Sequence, residues 1–304
     1  MSLAGIIFLI IATVCAAMFS ILFKIFHVKG VDSGQAIFFN YLTAFVIGGL
    51  FSLHGELAVN PLKAHWLVPV LILGFIFMAG MILLSDSTRR VGVAISTVCS
   101  RASMVIPMIV SYLMIEGSDK PRWLLIGLVI VAMSLTVWTG TPDDGRKYSL
   151  RDIMSPIVVF IAFGLSNSFL KVLQYQVTIA DTEAGLTEQA INSELSLVTA
   201  SVFFVAMLLC SYSFFTKGPD GKRIPVTFKN IVGGMALGLV NYLCTYTLML
   251  AMKSIDSSIL FPIHNIGIVA IGAFVGLWAF KEKMRTHQVI GMILAAISIA
   301  WLCL

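Results

Sequence analysis

Long runs of apolar residues, separated by short polar gaps, recur from one end of the chain to the other. A helix needs about 20 such residues to cross a hydrocarbon core about 30 Å thick, and ten runs reach that length. The predicted spans are 3–23, 33–53, 66–85, 93–115, 122–140, 153–173, 190–214, 229–252, 257–280 and 286–303. The runs are apolar on all sides, whereas strands of membrane barrels are shorter and alternate. The pattern predicts an all-α integral membrane protein with ten transmembrane helices.

Composition agrees with a membrane protein, because 59% of the residues are hydrophobic and only 12% are charged. The first run has no basic segment before it, so we interpret it as a permanent helix and not as a signal peptide. The five cysteines lie inside apolar runs without ligand spacing, which argues against a zinc site or a disulfide framework. We expect no cofactor and no metal. The basic residues lie beside the apolar runs, so we expect membrane lipids as partners and no nucleic acid.

The chain divides into two similar halves. A polar, turn-rich stretch, "TGTPDDGRKYSLRD" at 139–152, separates five predicted spans from five others. We therefore predict a first repeat at 1–140, a linker at 141–152 and a second repeat at 153–304.

Short matches follow one another in the same order in both halves. "AMFSILFKIF" near the start resembles "GLSNSFLKVLQYQ", and "QAIFFN" at 35–40 resembles "QAINSE" at 189–194. These two matches align Lys24 with Lys171, Ser20 with Asn167, Ala17 with Gly164, and Asn40 with Glu194. Later matches align Gly74 with Gly238, Glu116 with Glu282, and Gly127 with Gly291. A repeat of five helices enters the membrane from opposite sides in its two copies. The odd number of helices in each repeat thus predicts inverted repeats, an architecture common among secondary transporters.

Ten helices in two halves, a lysine in "ILFK" and "SFLK", and a glutamate after the fourth span of each half resemble the EamA-like branch of the drug/metabolite transporter superfamily. This resemblance implies that the fifth and tenth helices are peripheral and that the others line a central cavity. Pro107 and Pro262 lie in the fourth and ninth spans but not at matching positions, so a shared hinge does not follow.

The orientation has two conflicting indications. If the odd-numbered connections face the cytoplasm, they carry 14 lysines and arginines against 5 on the other side, which places both termini outside. The family resemblance implies both termini inside. The residue count decides our prediction.

Ionisable groups inside a membrane are costly and are therefore candidates for function. Arg101 lies within the fourth span, and His264 and Asn265 lie within the ninth. The repeat alignment pairs Arg101 with Asn265. The planar guanidinium of Arg101 suits a substrate carboxylate or phosphate, and the alternative is a structural pair with a carboxylate or a helix-end carbonyl of the protein. His264 is either a packed histidine or a proton-responsive contact.

Further polar residues follow helical spacing on three other spans. Asn241 and Thr245 are four residues apart on the eighth span. Gly164, Asn167 and Lys171 form a stripe on the sixth span that Ala17, Ser20 and Lys24 repeat on the first. The asparagines are candidates for hydrogen bonds between helices, and the lysines for headgroup contacts at helix ends.

Glu194 is the acidic candidate, and either it faces the membrane interface or it is a coupling carboxylate. Glu116 and Glu282 are expected to pair with adjacent basic residues. The predicted substrate-binding residues are Arg101, His264, Asn265, Asn241, Thr245, Asn167, Lys171 and Ser20, and the predicted coupling residues are Glu194 and His264.

The sequence favours a secondary transporter for a small polar or amphipathic metabolite, such as an amino acid or another carboxylate, in the bacterial inner membrane. Its expected partners are a small-molecule substrate and a proton or exchanged solute, and it would act as a monomer or homodimer. A lipid-carrier flippase or a non-transporting membrane assembly subunit is the alternative. An enzyme is not expected, since no nucleophile with an adjacent base appears within the spans. ATP-driven pumping is disfavoured because no phosphate-binding loop is found.

Overall fold

The computed structural model describes residues 2–53, 64–91, 93–116, 149–212 and 225–279, with isolated positions between 127 and 135 and between 286 and 297. Most of the predicted fifth and tenth spans, and the linker up to residue 148, lie outside the described residues. Gly127 and Gly291 are among the isolated positions, whereas Glu282 and the side chain of Glu116 lie outside.

The described residues form helices and contain no strand, which confirms the all-α class. The helices are α1 (Leu3–Lys29), α2 (Ser33–Ser52), α3 (Leu67–Val91), α4 (Val93–Ala102), α5 (Val105–Ser111) with a π-helical turn Tyr112–Glu116 behind it, α6 (Leu150–Glu183), α7 (Glu188–Cys210), α8 (Phe228–Met252) and α9 (Ser257–Ala279). Six of them, namely α1, α2, α3, α6, α7 and α8, are long and apolar enough to cross a membrane. Ten helices and inverted repeats stay predictions.

Helix ends are defined by local capping. The Asp32 side chain accepts a 2.9 Å hydrogen bond from the backbone N–H of Gln35 and so begins α2. Gly30 ends α1 in the left-handed conformation, with φ 62°, that glycine adopts without steric cost. The side chain of Thr187 accepts from Ala190 and begins α7. These caps allow sharp reversals between consecutive helices.

The predicted fourth span is interrupted. A turn at Ser103 and Met104 separates α4 from α5, which contains Pro107. Proline lacks the N–H that would bond to the carbonyl four residues earlier, here Ser103, and its ring clashes with that carbonyl. The chain tightens instead, with the N–H of Met104 donating to the carbonyl of Arg101 over 3.2 Å. The break therefore has a local cause.

Helix α6 is longer than predicted. The prediction ended the sixth span at residue 173, close to Lys171, but α6 continues to Glu183. The apolar run ends because Gln174 and Asp181 are polar, yet their side chains are 2% and 3% exposed. Placing Lys171 at a helix end, and counting it in a loop charge total, was wrong.

The described chain forms two compact units that do not coincide with the sequence halves. Unit 1 comprises Met1–Met78 and Leu173–Ser254, and unit 2 comprises Ala79–Val172 and Ile255–Leu304. Each unit contains segments from both halves, so the predicted repeats at 1–140 and 153–304 are not contact-defined domains.

In unit 1, α2 packs against α7 and α8, and α1 packs against α8. A core of Tyr41, Ala44, Phe203, Ala206 and Tyr242 lies between α2, α7 and α8. Ala and Gly at these contacts let the helices approach closely. Close packing matters because the hydrophobic effect does not drive helix association within lipid, so van der Waals attraction contributes instead.

Two glycines that the sequence alignment pairs make corresponding contacts. A Cβ on Gly74 of α3 would lie 2.6 Å from the Cβ of Val205 in α7. A Cβ on Gly238 of α8 would meet the backbone carbonyl of Asn40 in α2. Under the alignment α3 corresponds to α8 and α7 to α2, so these contacts are equivalent, as a duplication requires.

The direction of the helices in unit 1 also agrees with inversion. Ser2, before α1, donates to Ser254 behind α8. Lys253, at that same end of α8, donates to Asn192 in the second turn of α7. The end of α6 is joined to α7 by a short loop, so α1 begins at the end of unit 1 where α6 ends. Inverted repeats nevertheless stay a prediction.

Candidate substrate and coupling sites

The best candidate for substrate contact in unit 2 is Arg101. It lies in the last turn of α4, immediately before the interruption, and is partly buried. A cation is favoured there because the carbonyl end of a helix carries partial negative charge. Interrupted helices are where transporters commonly place binding groups, since freed backbone and side chains can meet a solute.

His264 and Asn265 lie on α9 and are 7% and 6% exposed. The charge of Arg101 acts on the His264 imidazole, so the structure brings these two predicted residues together within unit 2. The Asn265 amide donates a 2.9 Å hydrogen bond to the Phe261 carbonyl of its own helix. That donor is therefore used within its own helix.

The predicted stripe on α6 is buried more deeply than a headgroup contact allows. Lys171 is only 4% exposed, so it does not reach lipid headgroups as a snorkelling lysine would. Gly164 packs against Ile106 of α5, and Ser168 donates to the Gly164 carbonyl over 2.7 Å. Asn167 is half-buried. In the stripe on α1, the side chains of Ser20 and Lys24 lie outside the described residues.

In unit 1, Asn241 joins two helices. Its amide donates a 3.1 Å hydrogen bond to Oδ1 of Asn40, which is 0% exposed. This contact supports the interpretation of Asn241 as a link between α8 and α2. Thr245 lies buried one turn further along α8.

Glu194 does not face the membrane interface, because it is 3% exposed. The indole N–H of Trp66 donates a 2.6 Å hydrogen bond to its Oε1. The charge of Glu194 also acts on the carboxyl group of Asp181, near the end of α6. Glu194 therefore belongs to a buried acid pair, which we call the Asp181–Glu194 pair.

Sequence reasoning missed Asp181 and Trp66. A signal for Asp181 existed, because Lys171, Gln174, Thr178 and Asp181 are spaced three, four and three and so share one face of α6. The predicted end at residue 173 cut this pattern short. Trp66 carried no such signal, since its contact with Glu194 spans 128 positions of the chain. Among the described residues, no group of three or more His, Cys, Asp and Glu side chains could hold a metal ion.

An all-helical protein with several membrane-spanning helices and buried ionisable groups is typical of membrane transporters. Residues 3–138 match the model of the EamA-like transporter family, part of the drug/metabolite transporter superfamily, which confirms the resemblance seen in the sequence. The family match and the six membrane-length helices among the described residues support a multi-pass membrane protein. Members of this family are transporters rather than enzymes, in agreement with the expectation from the sequence.

Two further comparisons cover nearly the whole chain. An uncharacterised protein of Haemophilus influenzae is 24% identical over 292 residues, which is 94% of this chain and 93% of the relative. A protein of known crystal structure shares 13% sequence identity, with a TM-score of 0.64 over 99% of this chain and 96% of its own. The second likeness shows the fold alone.

Proposed function

We propose that this protein is a secondary transporter that moves a small polar or amphipathic metabolite across the bacterial inner membrane by alternating access. The family match and the apolar helices support a transporter, and the Haemophilus influenzae relative supports a bacterial membrane. In this proposal two inverted five-helix halves rock around a shared site.

The observation that carries the proposal is the placement of Arg101 at the interruption between α4 and α5, with the buried His264 close by on α9. Maintaining a guanidinium inside a membrane protein is costly, so its retention at a helix break favours a binding role. Two half-helices joined by a turn also give a segment that can change conformation while the longer helices stay intact.

The proposed substrate carries a carboxylate, as amino acids do. A planar guanidinium donates two parallel hydrogen bonds to a carboxylate, and a neutral imidazole can donate a further one. Asn241, Thr245, Asn167, Lys171, Asn265 and Ser20 are the further polar residues of the proposal. Binding energy must be shared between the two access states, or the substrate would trap the carrier in one of them.

Transport in proteoliposomes tests this proposal. Purified protein would be assayed with radiolabelled amino acids, organic acids and nucleosides, with and without a pH gradient. We expect saturable uptake of one carboxylate-bearing class and its loss in Arg101→Ala. Arg90→Ala is the matched control, because Arg90 is paired with Asp86 at the exposed end of α3. Unchanged transport by Arg101→Ala would overturn the assignment of Arg101, and no transport of any solute would overturn the carrier itself.

A further inference from the structure

Two acidic side chains from different helices meet inside unit 1. Asp181 of α6 and Glu194 of α7 are each 3% exposed, and the charge of Glu194 acts on the Asp181 carboxyl group. The Trp66 indole, itself 1% exposed, donates to Glu194 over 2.6 Å and fixes the orientation of that carboxyl group.

This contact has a direct chemical consequence. An ionised carboxylate is only an acceptor, so two carboxyl groups can share a hydrogen bond only if one of them holds a proton. Burial and the repulsion between like charges act in the same direction, since both disfavour two ionised groups side by side. Two buried carboxyl groups this close therefore favour one proton shared between them over two ionised groups.

One unsatisfied acceptor belongs to the pair, and a second lies further along the same face of α6. The Oδ2 atom of Asp181 is buried and has no hydrogen-bond partner among the described residues. The same holds for Oε1 of Gln174, two turns earlier on the same face of α6, whose amide donates to Thr178 over 3.0 Å. Buried acceptors of this kind are costly unless a donor reaches them.

The surrounding charges do not neutralise the pair. Lys253 of α8 donates to Asn192 over 2.9 Å and lies 3.5 Å from the exposed Glu188 of α7. Glu183, at the end of α6, and His65, before α3, are exposed, and α2 contains no charged residue. Within the described part of the chain, a proton is thus what balances the pair. No third metal-ligating side chain joins the two acids there, which disfavours a bound metal ion.

We propose that the Asp181–Glu194 pair is the proton-binding site of this transporter and couples proton movement to solute movement. The role of the pair in transport rests on the proposed carrier function, whereas proton binding by the pair does not. In one access state the pair takes one proton from water, and in the other state it releases that proton to water on the opposite side. Trp66 is a positioning residue, because its indole N–H holds the Glu194 carboxyl group in place.

Proton binding can be measured without any substrate. Infrared difference spectra of the protein in nanodiscs, recorded between neutral and alkaline pH, report the carbonyl band of a protonated carboxyl group. We expect a band at neutral pH that disappears on alkalinisation, and that is absent from the difference spectra of Asp181→Asn and Glu194→Gln. The controls Glu183→Gln on α6 and Glu188→Gln on α7 remove exposed carboxyl groups and should keep it.

Trp66→Phe tests positioning and removes only the indole donor. We expect its carbonyl band to shift in frequency and to disappear at a different pH, which a purely structural residue would not cause. The wild-type spectrum decides the matter even if a variant misfolds, because the absence of a protonated carboxyl band at neutral pH would overturn the proposal. Retention of the band in both Asp181→Asn and Glu194→Gln would overturn it as well.

Transport assays separate this inference from the proposed function. In Asp181→Asn and Glu194→Gln, we expect exchange of labelled for unlabelled solute to continue, while accumulation driven by a pH gradient falls at least about tenfold. Accumulation driven by a sodium gradient instead of a pH gradient would overturn proton coupling and leave the carrier intact. If no solute is transported but the carboxyl band behaves as expected, the carrier proposal fails and the proton site stands.

Discussion

The two compact units differ in the charge that they bury and in the regularity of their helices. Unit 1 contains a buried acid pair, and its α7 and α8 are continuous and packed through glycine contacts. Unit 2 contains the cationic and imidazole groups Arg101, Lys171 and His264, and its α4 and α5 are separated by a turn. Close packing and buried acids suit a rigid proton site, whereas an interrupted helix suits a segment that changes conformation around a solute.

This comparison has a physical basis in how each unit satisfies its polar groups. In unit 1 the polar side chains bond to one another across helices, as in Asn241 with Asn40 and Trp66 with Glu194. In unit 2 the proline at position 107 frees backbone groups beside Arg101. Four predictions test the distinction, from the largest expected effect to the smallest.

Adding a side chain at Gly238, one of the tightest helix contacts described in unit 1, should prevent folding. In Gly238→Val the new Cβ would meet the Asn40 carbonyl, which is backbone and cannot move aside. Overpacking of this kind typically costs about 1–3 kcal/mol or more, and we expect little monodisperse protein in size-exclusion chromatography. Gly272→Ala, where nothing lies within 4 Å, is the control and should purify normally. A well-folded Gly238→Val would show that unit 1 is less rigid than we infer.

Removing the guanidinium of unit 2 should abolish function and spare the fold. Charged hydrogen bonds contribute about 1.5–3 kcal/mol, so Arg101→Ala should lower apparent solute affinity roughly 10- to 100-fold. Equilibrium exchange in proteoliposomes measures this, alongside thermal melting of the same sample. Arg101→Lys keeps the charge and should recover part of the activity. A large drop in melting temperature without recovery by Arg101→Lys would instead indicate a structural pair.

The amide link in unit 1 should contribute modestly to stability. Hydrogen bonds between membrane helices are worth about 0.6 kcal/mol on average and at most about 2 kcal/mol, so Asn241→Ala should lower the free energy of unfolding by that amount. Unfolding in mixed detergent micelles checks it. Asn40→Ala should show a similar loss, and the double variant should lose less than the sum of the two. An additive double variant would contradict a direct contact.

The exposed ion pair of unit 2 should have the smallest effect on transport and on stability. Arg90 donates to Asp86 over 2.6 Å, but both side chains are partly exposed, at 35% and 51%. Exposed pairs of this kind are worth about 0.3–0.5 kcal/mol, so Asp86→Asn should leave transport unchanged and shift stability within that range. A change in transport above twofold would mean that unit 2 has a second functional region at the end of α3.

Most of the helices followed from the sequence. The starts and ends of α2, α8 and α9 agree with the predicted spans within one residue. The repeat alignment paired Arg101 with Asn265, the neighbour of His264. The predicted sixth span ended too early, because an apolar run stops at Gln174. Helix α6 continues beyond it, since its further polar residues are buried in the protein.

The sequence by itself determined that the chain spans a membrane many times, because the length and uniform apolarity of its runs leave helices as the spanning element. It also singled out Arg101 and His264 as ionisable residues within apolar spans, although it missed Asp181. Only the tertiary structure decided that Asp181 meets Glu194 and that Trp66 orients it. Such contacts depend on how helices far apart in sequence pack, and local patterns carry no information about that packing.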